Sequence, residues 1–225
     1  MAEGAREAAE RERIRQFYGS RRNRRWSGAA YVVEERQAML RRAAVEVAGI
    51  ALDTARFLDV GCGTGGDLAF WHEQGVGMDR LFGTEIVPER AAAAAELLPG
   101  ATIESVDGFT LPFDDGAFEL ASASMVLSSI VDDGARAHLF GEMLRVTSAG
   151  GLVAIYDFRV RKPWNSSVVA MNRARVAALG RRPDEAWPAA PLLPLLPAVL
   201  RLSSALRGPA LRALPRTHAL YLWRR

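Results

Sequence analysis

The stretch Phe57-Leu58-Asp59-Val60-Gly61-Cys62-Gly63-Thr64-Gly65-Gly66-Asp67-Leu68 constrains the chain more than any other. Phe57 to Val60 read as a short buried strand, and the glycines that follow force a tight turn. From Asp67 the apolar spacing becomes helical, and Asp67 suits the N-cap position. A strand, a glycine turn and a helix N-terminus in that order build a ligand crevice at the carboxyl end of a parallel sheet. Two ligand classes fit the turn. Gly61, Gly63 and Gly66 match the G-x-G-x-x-G spacing of a dinucleotide site, where a helix N-terminus faces a pyrophosphate. Asp59, Gly61, Gly63 and Gly65 match D-x-G-x-G-x-G instead, in which an acid at the strand end suits a cationic ligand and the glycines allow close backbone approach.

The rest of the chain alternates strand and helix. Before the glycine turn, residues 3–18 alternate acids and arginines at helical spacing, and Glu34 to Val47 form a second helix with Met39, Leu40 and Ala43 on one face. The run Arg21, Arg22, Arg24 and Arg25 reads as a solvated helix end or as a contact for phosphate or an acidic substrate. Tyr18, Trp26 and Tyr31 interleave with these arginines, the amphipathic surface a lid over a bound ligand would use. After the turn, Arg80 to Glu85 is a second strand ending in an acid. Pro88 opens the next helix where its missing N–H costs nothing, and Pro99-Gly100 stops it. Ala101 to Val106 and Phe118 to Ala123 are the third and fourth strands. A helix from Gly134 to Thr147, capped by Asp132 or Asp133, presents Leu139, Phe140, Met143, Leu144 and Val146 to the sheet and ends at Gly150-Gly151. Leu152 to Phe158 is a fifth strand. Such alternation requires a parallel sheet with right-handed crossovers.

Composition narrows the class. A chain of 225 residues accommodates one α/β domain with a full core. Its net charge of +3 is small, and its basic character comes from arginine, since Lys162 is the sole lysine. Cys62, the single cysteine, lies inside the glycine turn, so neither a disulfide nor a cysteine metal cluster is expected. No signal peptide is read at the N-terminus, and the apolar run Leu192 to Leu200 is broken by prolines and too short to span a bilayer. A cytoplasmic protein without a transmembrane segment is the expectation.

Four separated signals, over about residues 56–160, resemble the class I S-adenosylmethionine (SAM) dependent methyltransferases. Asp59 to Gly65 resembles motif I of that family. Glu85, 24 residues after Gly61, stands where the family's acid grips both ribose hydroxyls, with Ile86 next to it. Asp107 resembles the acceptor of the adenine amine, with Gly108 and Phe109 beside the ring. Leu111-Pro112-Phe113-Asp114 with Phe118-Glu119-Leu120, and Glu142-Met143-Leu144-Arg145-Val146 with Gly150-Gly151, are similar to the family's "LPF-x-D…FD" and "E-x-x-R-V-x-x-P-G-G" segments, with Ser148-Ala149 where the family carries its proline. The resemblance implies a Rossmann-like α/β fold: a mostly parallel seven-stranded sheet with helices on both faces, plus an N-terminal helical lid. It implies SAM as cofactor, S-adenosylhomocysteine as product and no metal. The cofactor set is Tyr18, Asp59, Gly61, Cys62, Gly63, Gly65, Glu85, Ile86, Asp107, Gly108, Phe109, Ser124 and Met125, although Phe109 and Met125 equally suit plain core. One domain over 1–225 is expected, with a helical lid in 1–50, the SAM-binding core in 51–160, and a substrate cap and closing strand in 161–225.

A narrower likeness joins Val126-Leu127-Ser128-Ser129-Ile130 and Tyr156-Asp157-Phe158-Arg159, then Pro163, Asn165 and Val168, to a bacterial subset carrying "FSSI" and "WYDFR…P-x-N-x-x-V". The chain departs from it at Ala154-Ile155 and at Ala178-Leu179-Gly180. The family's last strand, here Thr217 to Trp223, runs antiparallel, so His218 starts it near the crevice. His218, Tyr156 and Asn165 are the candidates for base or acceptor-orienting roles; a strand-end histidine and a Tyr156-Asp157 turn pair are the plainer readings. His72 and His138 read as structural. Trp164, Trp187 and the leucine-rich Pro191 to Leu214 are expected to cap the acceptor. Methyl transfer to a small molecule in secondary-metabolite biosynthesis is the leading function; a glycan or lipid-linked acceptor, or a non-catalytic SAM-binding partner protein, are the alternatives. No nucleic-acid partner is expected, since no base-methylating motif or appended RNA-binding module is present, and a homodimer is compatible with the sequence.

Overall fold

The computed structural model describes residues 2–19, 29–106, 108–160, 167–191 and 195–225. Asp107, Asn165, Pro163, Trp164, Trp26, and Arg21, Arg22, Arg24 and Arg25 lie outside the described residues. Two helices come first, α1 (Ala2–Gly19) and α2 (Ala29–Arg42), the latter continued by a wider turn over Ala43–Val47. Strands and helices then alternate: β1 (Phe57–Val60), α3 (Gly66–Glu73), β2 (Leu81–Glu85), α4 (Pro88–Leu97), β3 (Thr102–Ser105), β4 (Phe118–Ser124), α5 (Asp133–Val146) and β5 (Thr147–Phe158). The remainder is α6 (Arg173–Ala177), β6 (Glu185–Pro191), α7 (Leu196–Leu200), α8 (Ser204–Ala213) and β7 (Arg216–Arg224).

These strands form one seven-stranded sheet in the order β3-β2-β1-β4-β5-β7-β6. The first five run parallel, and β7 is antiparallel to both neighbours. Strand order reverses between β1 and β4, so their carboxyl ends part around a crevice. All four residues of β1 are buried, as expected for a parallel strand covered on both faces. One face packs α5, through Leu139, Phe140 and Met143, against Val153 and Trp223. The other packs α2 and α3, through Leu40, Ala43, Leu68 and Trp71, against Phe57, Leu81 and Leu222.

Three local expectations change. Gly65, at φ +86°, takes the N-cap of α3, and Asp67 is a buried residue of its first turn. Only glycine reaches that left-handed conformation cheaply, which releases the Asp67 carboxylate for distant partners. Gly150-Gly151 does not stop α5, because β5 begins directly at Thr147, which pairs with Phe118. The glycines instead absorb extra residues of β5 before Leu152 pairs with Leu120, and a Cβ on Gly151 would lie 2.8 Å from Thr147 Cγ2 and 2.9 Å from the Glu119 carbonyl oxygen. Trp187 is part of edge strand β6 rather than of a cap: it packs with the α2 layer, 5.0 Å from the Arg42 guanidinium. Pro188 and Pro191 are tolerated there because an edge strand has one unpaired side.

Candidate active site

The glycine turn joins β1 to α3 with Gly61 at φ +70°, Gly63 at +60° and Gly65 at +86°. Side chains are penalised in that region by roughly 1–2 kcal/mol per residue, and space forbids them as well. A Cβ on Gly61 would lie 2.6 Å from Val126 Cγ2, and one on Gly65 3.0 Å from Leu98 Cδ1. Cys62 N–H donates to the Thr84 carbonyl at 2.9 Å, tying the turn to β2. The Cys62 thiol is buried, and its pKa is pushed up by that burial and by the negative Asp59 and Glu85. It packs beside Gly83, where an added Cβ would meet its Sγ at 2.8 Å.

Glu85 ends β2 with 4% exposure. Its Oε2 accepts the Gly63 N–H at 2.9 Å and its Oε1 accepts the Val87 N–H at 3.0 Å. A carboxylate offers about four lone-pair sites, so two remain for a ligand. Asp59 and Asp67 are also buried in this region. Burial, followed by the charges of Asp67 and Glu85, holds the Asp59 carboxyl well above its ordinary range, against the pull of Arg36 and a bond from Ser122. Asp67 is met by Arg36 Nη2 at 2.6 Å, Gln37 Nε2 at 3.2 Å and Ser124 Oγ at 3.0 Å. Nothing in the sequence distinguished Arg36 or Gln37 from the other polar residues of α2.

Beyond the turn lies a cavity of about 170 Å³ lined by Val60, Gly61, Glu85, Ile86, Gly108, Phe109, Ser124 and Met125. Tyr18 and Ile14 of α1, Arg90 of α4 and Leu111 also line it. The structure thus gathers Tyr18, Gly61, Glu85, Ile86, Gly108, Phe109, Ser124 and Met125, with Asp59, Cys62, Gly63 and Gly65 in the strand and turn behind them. Phe109 is also part of the buried α5-side core. Met125 sits at φ +63°, and its N–H donates to the Tyr156 carbonyl at 2.8 Å. A left-handed methionine is strained, and such strain gathers at functional sites.

Helix α1 is fastened over this cavity by side chains that sequence spacing could not pair. Glu10 Oε1 accepts the Val131 N–H, and Arg13 donates both to Glu10 and to the Ser129 carbonyl. Burial raises the Glu10 pKa, but the Arg13 and Val131 bonds outweigh it and leave the group lowered. Tyr18 Oη and Ser129 Oγ are 2.5 Å apart, and Arg15 Nε donates to the Ile86 carbonyl at 3.1 Å. His138 joins α5 to α1 through Glu7 at 2.9 Å, while His72 contacts the Val76 carbonyl at 3.1 Å. Arg90 Cζ lies 5.5 Å from the centre of the Tyr18 ring.

On the α2 side of the same sheet edge stand Tyr156 and His218. Antiparallel pairing places His218 opposite Phe158 of β5 and Ala189 of β6. Its ring stacks on Tyr156 at 5.3 Å and on Phe158 at 4.3 Å, and it is 2% exposed. Thr217 Oγ1 donates to the Ala190 carbonyl at 3.2 Å and lies 2.9 Å from His218 Nδ1. Tyr156 is 1% exposed, and its buried hydroxyl has no hydrogen-bond partner among the described residues; the same holds for Nε of Arg36, whose guanidinium carbon lies 5.9 Å from the Tyr156 ring centre. Burial and the nearby Glu35 push the phenol pKa up, so the group stays protonated. Asp157 turns to the other face and accepts the Ser128 and Phe158 N–H groups at 2.8 Å each. Among the described residues no group of three or more His, Cys, Asp or Glu is placed to hold a metal ion.

Comparison with known proteins agrees with this geometry. Residues 57–151 match the family model described as "Methyltransferase domain". A 97-residue segment is 33% identical to an uncharacterized 37.1 kDa protein in transposon TN4556 of Streptomyces fradiae, covering 42% of this chain and 27% of that protein. In fold the chain is similar to geranyl diphosphate C-methyltransferase from Streptomyces coelicolor A3(2), solved with Mg2+, geranyl diphosphate and S-adenosyl-L-homocysteine (TM-score 0.65, 16% identity, 95% of this chain and 96% of that one). It is also similar to the cyclase SpnF (TM-score 0.63, 18% identity, 84% and 80% covered) and to a SAM-dependent methyltransferase from Mesorhizobium loti (TM-score 0.59, 19% identity, 82% and 97% covered). Residues 57–151 are thus identified as a methyltransferase domain, in a chain whose fold is similar to that of Rossmann-like SAM-dependent methyltransferases.

Proposed function

We propose that the chain transfers the methyl group of SAM to a small-molecule acceptor held on the α2 side of the crevice, as a step of secondary-metabolite biosynthesis in a bacterial cytoplasm. The observation that carries this reading is the pair of buried, unpartnered polar atoms, Tyr156 Oη and Arg36 Nε. Buried polar groups are normally bonded, and Arg36 leads through Asp67 and Ser124 to the cavity wall. An acceptor's oxygen or nitrogen would satisfy both atoms next to the cofactor. The fold neighbour named for methylating geranyl diphosphate supports a small-molecule acceptor.

The residues present fit SAM. Glu85 keeps two acceptor sites for the ribose diol, and the buried Asp59, Asp67 and Glu85 suit a ligand bearing an ammonium and a sulfonium. SAM supplies an activated methyl on a good leaving group. The chain then contributes alignment and exclusion of water: Tyr156 Oη donates to the acceptor, and the His218 imidazole takes a proton where the nucleophile carries one. Asp107 and Asn165, which lie outside the described residues, keep their proposed adenine and acceptor roles.

Incubation with SAM and a panel of metabolites, read by mass spectrometry, tests this. S-adenosylhomocysteine should accumulate with a product heavier by one methylene. Tyr156→Phe should raise the acceptor KM by about tenfold with a smaller change in kcat. Tight SAM binding with no transfer to any acceptor would instead favour a non-catalytic SAM-binding protein.

A further inference from the structure

A second cleft, of about 490 Å³, opens on the other face of the sheet from Tyr156 and His218. Side chains alternate along β7: Leu220 and Leu222 pack with the α2 layer, and Ala219 and Tyr221 with the α5 layer. The cleft is floored by Ala186 and Pro188 of β6 and by Ala219 and Tyr221 of β7. Tyr221 offers only its ring there, since its hydroxyl donates inward to the Met171 carbonyl at 2.6 Å.

The rim is of opposite character. Arg159 follows β5, Arg173 opens α6 and Arg182 precedes β6; all three line the cleft and are exposed. No carboxylate lines it among the described residues. None of the three guanidiniums has a hydrogen bond or ion pair within the described residues, whereas their neighbours Arg175 and Arg181 approach Asp133 at 4.0 Å and Asp184 at 3.6 Å. Like charges focused on one cleft repel one another and raise the local concentration of anions. A phosphate ester carries about −1.5 to −2 charge at pH 7 and accepts the guanidinium fork in pairs. The cleft volume also falls in the range of small-molecule sites.

We infer that this cleft binds an amphiphilic phosphate ester, its head group on Arg159, Arg173 and Arg182 and its apolar chain along Ala186, Pro188 and the Tyr221 ring. The sheet separates this ligand from the proposed methyl acceptor, so the two sites can be loaded independently.

Titration calorimetry of the full chain with octyl phosphate, octanol and inorganic phosphate tests the assignment. Octyl phosphate should bind at least about tenfold more tightly than either fragment, and about tenfold less tightly to Arg173→Ala/Arg182→Ala. Added salt should weaken it by screening. Arg173→Lys/Arg182→Lys should recover part of the loss, and S-adenosylhomocysteine affinity should stay the same in every variant, which shows that the fold and the cofactor site are intact. Absence of octyl phosphate binding, equal binding to the double alanine variant, or octanol or phosphate binding as well as octyl phosphate would each overturn the inference, without bearing on methyl transfer.

Discussion

Glu85 holds the glycine turn through Gly63 N–H and the start of α4 through Val87 N–H, and in the proposed site its remaining lone pairs accept the cofactor ribose. A hydrogen bond to a charged group contributes roughly 1.5–3 kcal/mol, so Glu85→Ala should lower SAM affinity by at least about tenfold, measured by calorimetry; unchanged affinity would place the ribose elsewhere. Glu85→Gln, which keeps one acceptor oxygen, should fall between. Asp157 is a different kind of buried acid. Burial pushes its pKa up to about 6 against the bonds from Ser128 and Phe158 and the charge of Arg136. As pH rises from about 4 to about 6, the unfolded chain loses this proton first, so the group's contribution to stability falls. The gap between 3.8 and about 6 corresponds to roughly 3 kcal/mol at about 1.4 kcal/mol per unit. Urea unfolding at pH 4, 5 and 6 should therefore show wild type losing stability relative to Asp157→Asn; the opposite slope would mean that Asp157 is ionised at low pH.

Among the elements, α1 and α5 show how helices are recruited to a site at the sheet's carboxyl edge. Glu142 accepts the Leu111 N–H and two Arg145 hydrogen bonds, while Arg145 also donates to the Leu111 and Phe113 carbonyls and to Asp115. The E-x-x-R pair of α5 thus clamps the loop that follows β3, which includes Leu111 of the cavity wall. That clamp holds Glu142 below the usual carboxylate range, chiefly through the Arg145 bond. Helix α1 is held more lightly, by Glu10, Arg13, Arg15 and Tyr18 on the loops after β4 and β2. Glu10→Ala should free α1 from the cavity. Hydrogen exchange should then show lost protection over residues 4–18, and S-adenosylhomocysteine should leave about tenfold faster, since loosening a closing segment acts mainly on the off-rate. Unaltered exchange would mean that apolar packing alone seats the helix.

For the whole molecule, the proposed cofactor crevice lies at the centre of the sheet, formed by β1, β2 and β4. A ligand that binds only the folded state at 100 times its Kd stabilises it by about 2.7 kcal/mol. For a chain of this size that corresponds to a rise in melting temperature of roughly 5–10 °C. S-adenosylhomocysteine should produce such a shift and NADH none; the reverse would return the glycine turn to its dinucleotide reading.

What the sequence determined by itself was local or periodic. Three glycines at positive φ, a proline at the first turn of α4 and an aspartate cap on α5 are properties of a few adjacent residues. The alternation of buried strands with amphipathic helices fixed the parallel sheet, and the family likeness supplied Glu85 as the proposed cofactor acid. Tertiary structure decided the rest, because each outcome needed a partner far along the chain. Asp67 left the helix cap for Arg36, 31 residues before it. Gly150-Gly151 became a strand irregularity once β5 had to meet β4 at Phe118. Trp187 joined the sheet because β7 offered an open edge and α2 an apolar face. Helix α1 was fixed by Glu10 reaching Val131, 121 residues away. Such long-range polar pairs leave no periodic trace in a sequence, since the carboxylate and the N–H that meet are chosen by where the sheet edge brings two loops together.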